Sequence, residues 1–252
     1  CGVDWWDGIQ PFGGIEKGSL VVLAAPPRCY KTSLMLFLAW KFAKTGRRVH
    51  YLAGEMTRPA LVRRVVSMAG EVSPNVVMEP RSLVERKAVA TGIEMARSLG
   101  DRLVFGQAPI TITQIKTSAA ESDLVVVDYL QLIKPEFGGT GRVEELEALM
   151  ATLLGVIQRG GTILAAAALN RGGMAQASLS SLRGSSAIEY GAHAVFVGTE
   201  KLARLEEGPF GESGPVVYRC VKQREGEARD LRFGIEPRLG PLPIDPSQEC
   251  GS

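Results

Sequence analysis

LVVLAAPPRCYKTSLMLFL, from Leu20 to Leu38, carries the strongest structural signal of the chain. The apolar run Leu20–Ala25 predicts a buried strand, and the pair Lys31-Thr32 opens an apolar run that predicts a helix. Strand, loop, Lys-Thr and helix is the order of a phosphate-binding loop, in which backbone N–H groups and a helix N-terminus hold phosphates. The stretch therefore predicts a site for a nucleoside triphosphate.

The loop departs from the common pattern GxxxxGK[ST] at both glycine positions. Ala25 and Tyr30 stand there, and Pro26 and Pro27 remove two N–H donors from the loop. A side chain at Tyr30 occupies space that glycine leaves open for a close phosphate. Nucleotide binding is therefore a weaker expectation than descent from a nucleotide-binding loop.

Three side chains have predicted roles in this site. Lys31 would reach the β- and γ-phosphates, and Thr32 would hold Mg²⁺ through its hydroxyl. Asp128 ends the apolar run LVVVD, and a carboxylate at the carboxyl end of a strand lies where open α/β sheets bind ligands and can order the metal. The remaining predicted nucleotide contacts are Ala25, Pro27, Arg28, Cys29, Tyr30 and Ser33.

Three charged residues allow two interpretations each. Glu55 follows the run HYLAGEM and would polarise an attacking water, or it is a solvated surface residue. Lys222 and Arg224 share one face of a predicted strand. They would meet a phosphate of a neighbouring subunit, as an arginine finger does, or they form an exposed basic strand.

Length and composition set broad limits. The 252 residues are enough for one large α/β domain, and the net charge of +2, from 29 basic and 27 acidic residues, neither requires nor excludes a nucleic-acid partner. No apolar run reaches the roughly 20 residues of a membrane span. Four scattered cysteines argue against a zinc site or a disulfide framework and fit a reducing cytosol. Because the chain begins with Cys1 and not Met, we expect a fragment or a processed form.

Strand-like and helical runs alternate along the chain. Strands are predicted at Leu20–Ala25, Arg48–Ala53, Arg102–Phe105, Leu124–Val127, Thr162–Ala167 and Ala194–Val197. Helices are predicted from Thr32 to about Lys44 and at Arg58–Ala69, Arg81–Leu99, Thr111–Ala120 and Val143–Gln158. Val216–Val221 and Ala228–Phe233 predict a C-terminal β-ribbon. The pattern indicates an α/β fold with a mostly parallel central sheet flanked by helices.

Together these motifs resemble the C-terminal ATPase domain of the DnaB-type replicative DNA helicases, within the RecA-like superfamily. The resemblance covers about Asp7 to Ile235 and is carried by APPRCYKTS, GEM, VVVDYLQLI, ALNR, SLRGSSAIEYGAH and KQREG. It implies one RecA-like P-loop NTPase domain over residues 1–252, with a core of about 7–235 and short flexible ends. It also implies ATP and Mg²⁺ as cofactors, with Glu55 as the catalytic glutamate. Lys222 and Arg224 would act on the ATP of the next subunit.

The resemblance further implies an assembly and partners. The family forms rings, usually hexamers, with ATP between subunits and single-stranded DNA in the central channel. Two loops, Lys134–Gly141 and Arg171–Ser186, would line that channel. The DNA contacts implied for this chain are Lys134, Arg171, Arg183, Gly184 and Ser186. Replication proteins would be further partners, and the expected compartment is the cytoplasm. Because no counterpart of the family's N-terminal domain precedes the motifs, we expect a trimmed form or a stand-alone relative.

Two departures from the family motifs leave the function open. Tyr30 replaces the glycine before the lysine, and Ala168 replaces the glutamine that senses the γ-phosphate. One hypothesis is an ATP-dependent DNA helicase or translocase on single-stranded DNA, with full or impaired hydrolysis. The second is a catalytically weak or inactive scaffold or regulator that binds DNA or replication partners. The third is a recombination-type or circadian-clock-type RecA-like ATPase. The motifs favour the first.

Overall fold

The strands alternate with helices in the order that the apolar runs predict. The computed structural model describes residues 15–26, 29–134, 142–169, 185–198, 216–224, 228–236 and 240–243. The strands are β1 (Leu20–Ala24), β2 (Val49–Ala53), β3 (Leu103–Gln107), β4 (Ile110–Thr111), β5 (Leu124–Asp128), β6 (Ile133–Lys134), β7 (Ile163–Ala167), β8 (Ala194–Gly198), β9 (Val216–Gln223), β10 (Leu231–Glu236) and β11 (Gly240–Pro243). The helices are α1 (Lys31–Lys44), α2 (Arg58–Gly70), α3 (Pro74–Met78), α4 (Leu83–Ser98), α5 (Ile112–Glu121), α6 (Arg142–Gln158) and α7 (Ser185–Gly191).

Nine of the described strands form one sheet, in the order β11-β10-β9-β8-β1-β7-β5-β2-β3. The strands from β8 to β3 pair in parallel, and β9, β10 and β11 add to the β8 edge in antiparallel fashion. A separate small sheet pairs β4 with β6 in parallel. The mostly parallel sheet and the C-terminal ribbon of β9 and β10 confirm the predicted α/β fold class.

The core lies on both faces of the sheet. Every residue of β1, β5, β7 and β8 is buried, as expected for parallel strands covered by helices on both sides. Successive side chains of β1 enter different clusters: Val21 and Leu23 pack with α1, whereas Leu20 and Val22 pack with α6. Helix α1 is buried on nearly all sides, so its first turn is fixed at the carboxyl edge of the sheet.

Helices α2 and α4 pack with their backbones in close contact. A Cβ added at Gly92 would overlap the carbonyl oxygen of Val66, and one at Gly70 would lie 2.5 Å from that of Ala88. Two glycines therefore permit this close approach. The other end of α4 begins with a capping box formed by Ser82 and Glu85.

Some predicted boundaries were wrong. The helix predicted at Arg81–Leu99 spans Leu83–Ser98, and α3, which was not predicted, precedes it. The second strand of the ribbon, predicted at Ala228–Phe233, begins at Leu231. Strand β11 was also not predicted, because its sequence GPLP has low strand propensity and becomes a strand only by pairing with β10. None of the described helices is long and apolar enough to cross a bilayer.

Candidate nucleotide-binding site

The predicted phosphate loop connects β1 to α1. Ala25 follows β1 and is fully buried. Tyr30 precedes the first residue of α1 with φ 57° and ψ 21°, in the left-handed region that glycine adopts freely. For another residue this conformation costs roughly 1–2 kcal/mol. The ring of Tyr30 packs in part against the core cluster beneath α1. The chain therefore keeps a glycine-type backbone before the lysine while carrying a tyrosine.

The ammonium group of Lys31 lies over the start of the loop. Its Nζ donates hydrogen bonds to the carbonyl oxygens of Ala25, at 2.5 Å, and Pro26, at 2.9 Å. Burial lowers the pKa of Lys31, and the nearby carboxylates of Asp128 and Glu55 act in the opposite direction. The two carbonyls and two carboxylates thus stabilise a half-buried cation at the place where the pattern predicts a phosphate.

Asp128 lies at the end of β5 and is only 7% exposed. Its Oδ2 accepts a hydrogen bond from Thr32 Oγ1 at 2.8 Å and another from the hydroxyl of Tyr51 at 2.9 Å. Burial, reinforced by Asp128, raises the pKa of Tyr51 well above its usual value, so Tyr51 remains a donor. A hydroxyl and a carboxylate are oxygen ligands of the kind that Mg²⁺ takes, usually one or two from the protein with the rest from phosphates and water. Thr32 and Asp128 therefore fit this metal.

Glu55 is held beside Asp128 by backbone pairing. The last residue of β2, Ala53, is in register with Asp128, and Gly54 N–H donates to the Asp128 carbonyl at 2.7 Å. A Cβ on Gly54 would overlap Leu132 Cδ1 and lie 3.1 Å from the same carbonyl oxygen, so this close approach favours glycine. Glu55 is exposed and close enough to Lys31 to raise its pKa. The carboxylate thus faces the solvent side of the site.

Ala168 follows β7 on the other side of β5. Its N–H donates to Gln131 Oε1 at 3.1 Å, and Gln131 Nε2 donates to its carbonyl at 3.5 Å. The amide of Gln131 thereby links the 3₁₀ turn Leu130–Leu132, which follows Asp128, to the end of β7. The methyl group of Ala168 itself offers no hydrogen bond to a ligand.

Lys222 and Arg224 both contact the last turn of α7. Lys222 Nζ donates to the carbonyl of Glu189, and Arg224 Nη2 donates to that of Tyr190 at 2.6 Å. Helix C-termini attract cations, which explains this arrangement within one chain. Burial, with help from Arg224, lowers the pKa of Lys222. The two cations therefore act together on one helix and lie away from the contacts of Lys31 just described.

Sequence reasoning missed four residues at this site. Besides Tyr51 and Gln131, Arg64 of α2 donates to Ser33 Oγ at 2.9 Å, and Tyr218 of β9 donates to the Cys29 carbonyl at 2.8 Å. The only signal for the two tyrosines was their position in apolar strands, where a buried hydroxyl needs a partner. Other predicted contacts lie outside the described residues, namely Pro27, Arg28, Arg171, Arg183 and Gly184, together with the side chains of Lys134 and Ser186.

Comparison with solved structures agrees with this geometry. One similar structure, of an isolated ATPase domain, has a TM-score of 0.81 and 18% sequence identity, and the match covers 91% of this chain and 86% of that one. A second, of a DnaB-like replicative helicase solved to show its interactions with primase, has a TM-score of 0.78 and 17% identity. That match covers 88% of this chain and 56% of the helicase. At these identities the likeness shows the fold.

Two relatives match in sequence over shorter stretches. The replicative DNA helicase DnaB of Synechocystis sp. is 27% identical over 154 residues, which are 57% of this chain and 17% of the relative. The DNA repair and recombination protein RadB of Methanobrevibacter smithii is 33% identical over 88 residues, or 33% of this chain and 37% of RadB. The matches thus span well under half the length of either relative.

A family model covers far more of the chain than these pairwise matches. The model described as "DnaB-like helicase C terminal domain" matches residues 7–239 of the 252. The phosphate loop, the Asp128 strand and the Lys222–Arg224 segment all lie within that range. The chain therefore belongs to the family of DnaB-like helicase C-terminal domains.

Proposed function

We propose that this chain binds ATP with Mg²⁺ and hydrolyses it to move along single-stranded DNA as a helicase or translocase. The observation that carries the proposal is the 2.8 Å hydrogen bond between Thr32 and Asp128. It joins two residues 96 positions apart and places the predicted metal-ordering carboxylate at the first turn of α1, next to Lys31. A lysine, a hydroxyl and a carboxylate in this arrangement are the protein groups that a Mg²⁺–nucleotide requires.

Each residue would contribute one interaction. Lys31 would exchange its two loop carbonyls for phosphate oxygens, and Thr32 and Asp128 would hold the metal. Bound Mg²⁺ would neutralise charge on the phosphates. Glu55, exposed at the edge of the site, would orient the attacking water. These roles need no movement of the strands, because register already brings the ends of β2 and β5 together.

The proposal extends to the assembly. Lys222 and Arg224 would leave the α7 carbonyls and meet the ATP of a neighbouring copy in a homo-oligomeric ring, which we propose to be a hexamer. Family membership supports this arrangement, as do two cations on the strand that extends the sheet beyond β8. Single-stranded DNA would pass through the ring beside Lys134, Arg171, Arg183, Gly184 and Ser186, and replication proteins would be further partners.

Steady-state ATP hydrolysis with and without single-stranded DNA tests the proposal. We expect turnover that rises when DNA is added. The variant Glu55→Gln should lose at least about 100-fold in turnover while it still binds ATP, because it keeps the shape of the side chain and removes the base. An intact oligomer that shows no turnover in the wild type would contradict the proposal.

The substitution at Ala168 supports a second candidate, a scaffold or regulator that binds DNA or replication partners without hydrolysis. A methyl group cannot sense a phosphate, and the nearby amide of Gln131 bonds to the backbone of Ala168. The same assay separates the candidates, since the scaffold predicts DNA binding with no turnover. Restoring the amide with Ala168→Gln should then increase the stimulation of turnover by DNA only if the motor is active.

A further inference from the structure

A buried tyrosine outside the recognised motifs contacts the phosphate loop. Tyr218 lies in β9, is 0% exposed, and stacks on Phe233 with ring centroids 5.9 Å apart. Its hydroxyl donates a 2.8 Å hydrogen bond to the main-chain carbonyl of Cys29, directly before Tyr30. The bond joins residues 189 positions apart, so it ties the C-terminal strand to the loop.

The same ring also touches the beginning of the loop. A Cβ built on Gly198, at the end of β8, would lie 3.1 Å from Tyr218 Cε2 and Cζ and 3.1 Å from Ala25 Cβ. The absence of a side chain at Gly198 therefore makes room for the ring beside Ala25. One side chain thus packs near the first residue of the loop and bonds to a residue near its end.

We propose that Tyr218 is a positioning residue of the phosphate loop, whose hydroxyl fixes the main chain at Cys29 and so sets the geometry of the turn into α1. The physical reason lies in the loop itself. Pro26 has no N–H, and Tyr30 holds a left-handed backbone that is unfavourable for a side chain. A loop with these features gains from an external bond that prevents the turn from relaxing. The part of the inference that concerns nucleotide rests on the proposed function, whereas the part that concerns the loop does not.

Hydrogen–deuterium exchange without nucleotide tests the loop directly. In Tyr218→Phe, amides of the segment 30–34 should exchange about three- to tenfold faster than in the wild type, the range expected for loss of one hydrogen bond. Tyr51→Phe is the matched control, because it also removes one buried hydroxyl but bonds to Asp128 and not to the loop backbone. Equal exchange in Tyr218→Phe and the wild type would overturn the inference. If Tyr218→Phe does not fold, Gly198→Ala should displace the ring and loosen the same amides.

Nucleotide affinity supplies a second readout. We expect Tyr218→Phe to weaken binding of fluorescent ADP about three- to tenfold both with Mg²⁺ and with EDTA, since the loop contacts phosphate in either case. Tyr51→Phe should weaken binding only when Mg²⁺ is present. Wild-type affinity for Tyr218→Phe under both conditions would contradict the inference. If the wild type binds no nucleotide, the proposed function fails, and the exchange measurement still decides whether Tyr218 fixes the loop.

Discussion

A single carboxylate oxygen of Asp128 accepts hydrogen bonds from both Thr32 and Tyr51. Because Asp128 is buried, its negative charge needs such donors, and hydrogen bonds to charged groups are stronger than neutral ones. Thr32 belongs to the predicted motif, but Tyr51 comes from the middle of β2. The second donor fixes the orientation of the carboxylate independently of the loop.

We predict that Tyr51→Phe lowers the free energy of unfolding by about 1.5–3 kcal/mol at pH 7, because the variant leaves a buried charge with one donor fewer. Urea denaturation followed by fluorescence or circular dichroism measures this difference. Phe105, which lies against Tyr51 with ring centroids 5.9 Å apart, provides a packing control through Phe105→Leu. A loss below about 0.5 kcal/mol in Tyr51→Phe would mean that the hydroxyl contributes little to holding the carboxylate.

The lowered pKa of Lys31 predicts a specific pH dependence. Between its folded pKa and the unfolded value of 10.5, the unfolded chain binds more protons than the native one, so stability from this group rises with pH in that window. Below the folded pKa both states are protonated and the contribution is constant. Denaturation of the wild type and Lys31→Met at a series of pH values up to 10.5 isolates the effect. The wild type should gain stability with pH relative to the variant, and parallel curves would contradict the predicted shift.

The sequence predicted the residues of this site that belong to contiguous motifs. Lys31, Thr32 and Asp128 could be identified because each lies at the end of an apolar run, where chain direction alone places it at the ligand edge of the sheet. Tyr51 and Gln131 could not, since an apolar pattern indicates burial but does not reveal which atom lies opposite. That depends on register between strands distant in sequence.

The contact between α2 and α4 depends on two glycines in helix interiors. Glycine lowers helix stability by about 1 kcal/mol relative to alanine, so its presence there needs a compensating gain. The gain is close packing, because any Cβ at these positions would collide with a carbonyl of the other helix. The pair thus fixes the helices that pack beside β3 at the edge of the sheet.

We predict that Gly92→Ala lowers the free energy of unfolding by about 1–3 kcal/mol through overpacking against Val66. Gly155 in α6 is the matched control, because a Cβ there meets nothing within 4 Å. Gly155→Ala should stabilise the protein by about 0.5–1 kcal/mol through helix propensity alone. Thermal or urea unfolding of both variants checks the opposite signs. Stabilisation by Gly92→Ala would show that the helices can separate without cost.

Prediction succeeded best for elements whose own sequence determines them. The parallel strands were recognised from continuous apolar runs. Strand β11 contains glycine and two prolines and exists through its pairing with β10, so no local pattern announces it. Helix α3 has five residues, which is too short for a helical period to emerge from the sequence.

At the scale of the whole molecule, strand β9 connects two different surroundings. Its register with β8 shifts between Val195 and Phe196, which pair with Lys222 and Cys220, so Val221 is an extra residue in the strand. Tyr218 lies before this bulge and contacts the phosphate loop, whereas Lys222 lies after it and contacts α7. In the proposed ring, one strand would thus connect a subunit's own nucleotide loop with the cations that it offers to its neighbour.

We predict that Arg224→Ala still assembles and binds ATP but loses about 10³-fold in turnover, the effect of removing an arginine finger. Mixing this variant with Lys31→Ala, itself inactive, provides the sharper test. A subunit with intact Lys31 placed next to one with intact Arg224 forms one complete site, so mixed rings should regain part of the activity. If mixing restores no turnover although the variants co-assemble, Arg224 does not act between subunits.

The central claim is that the turn between β1 and α1 binds a nucleoside triphosphate despite Tyr30. Calorimetric titration of ATP with Mg²⁺ into the wild type and into Lys31→Ala tests it most directly. We predict saturable binding to the wild type and at least about a tenfold weaker affinity in Lys31→Ala, with Tyr30→Gly binding more tightly than the wild type because the ring no longer competes for phosphate space. Absence of binding to the folded wild type, or equal affinity in Lys31→Ala, would contradict the claim.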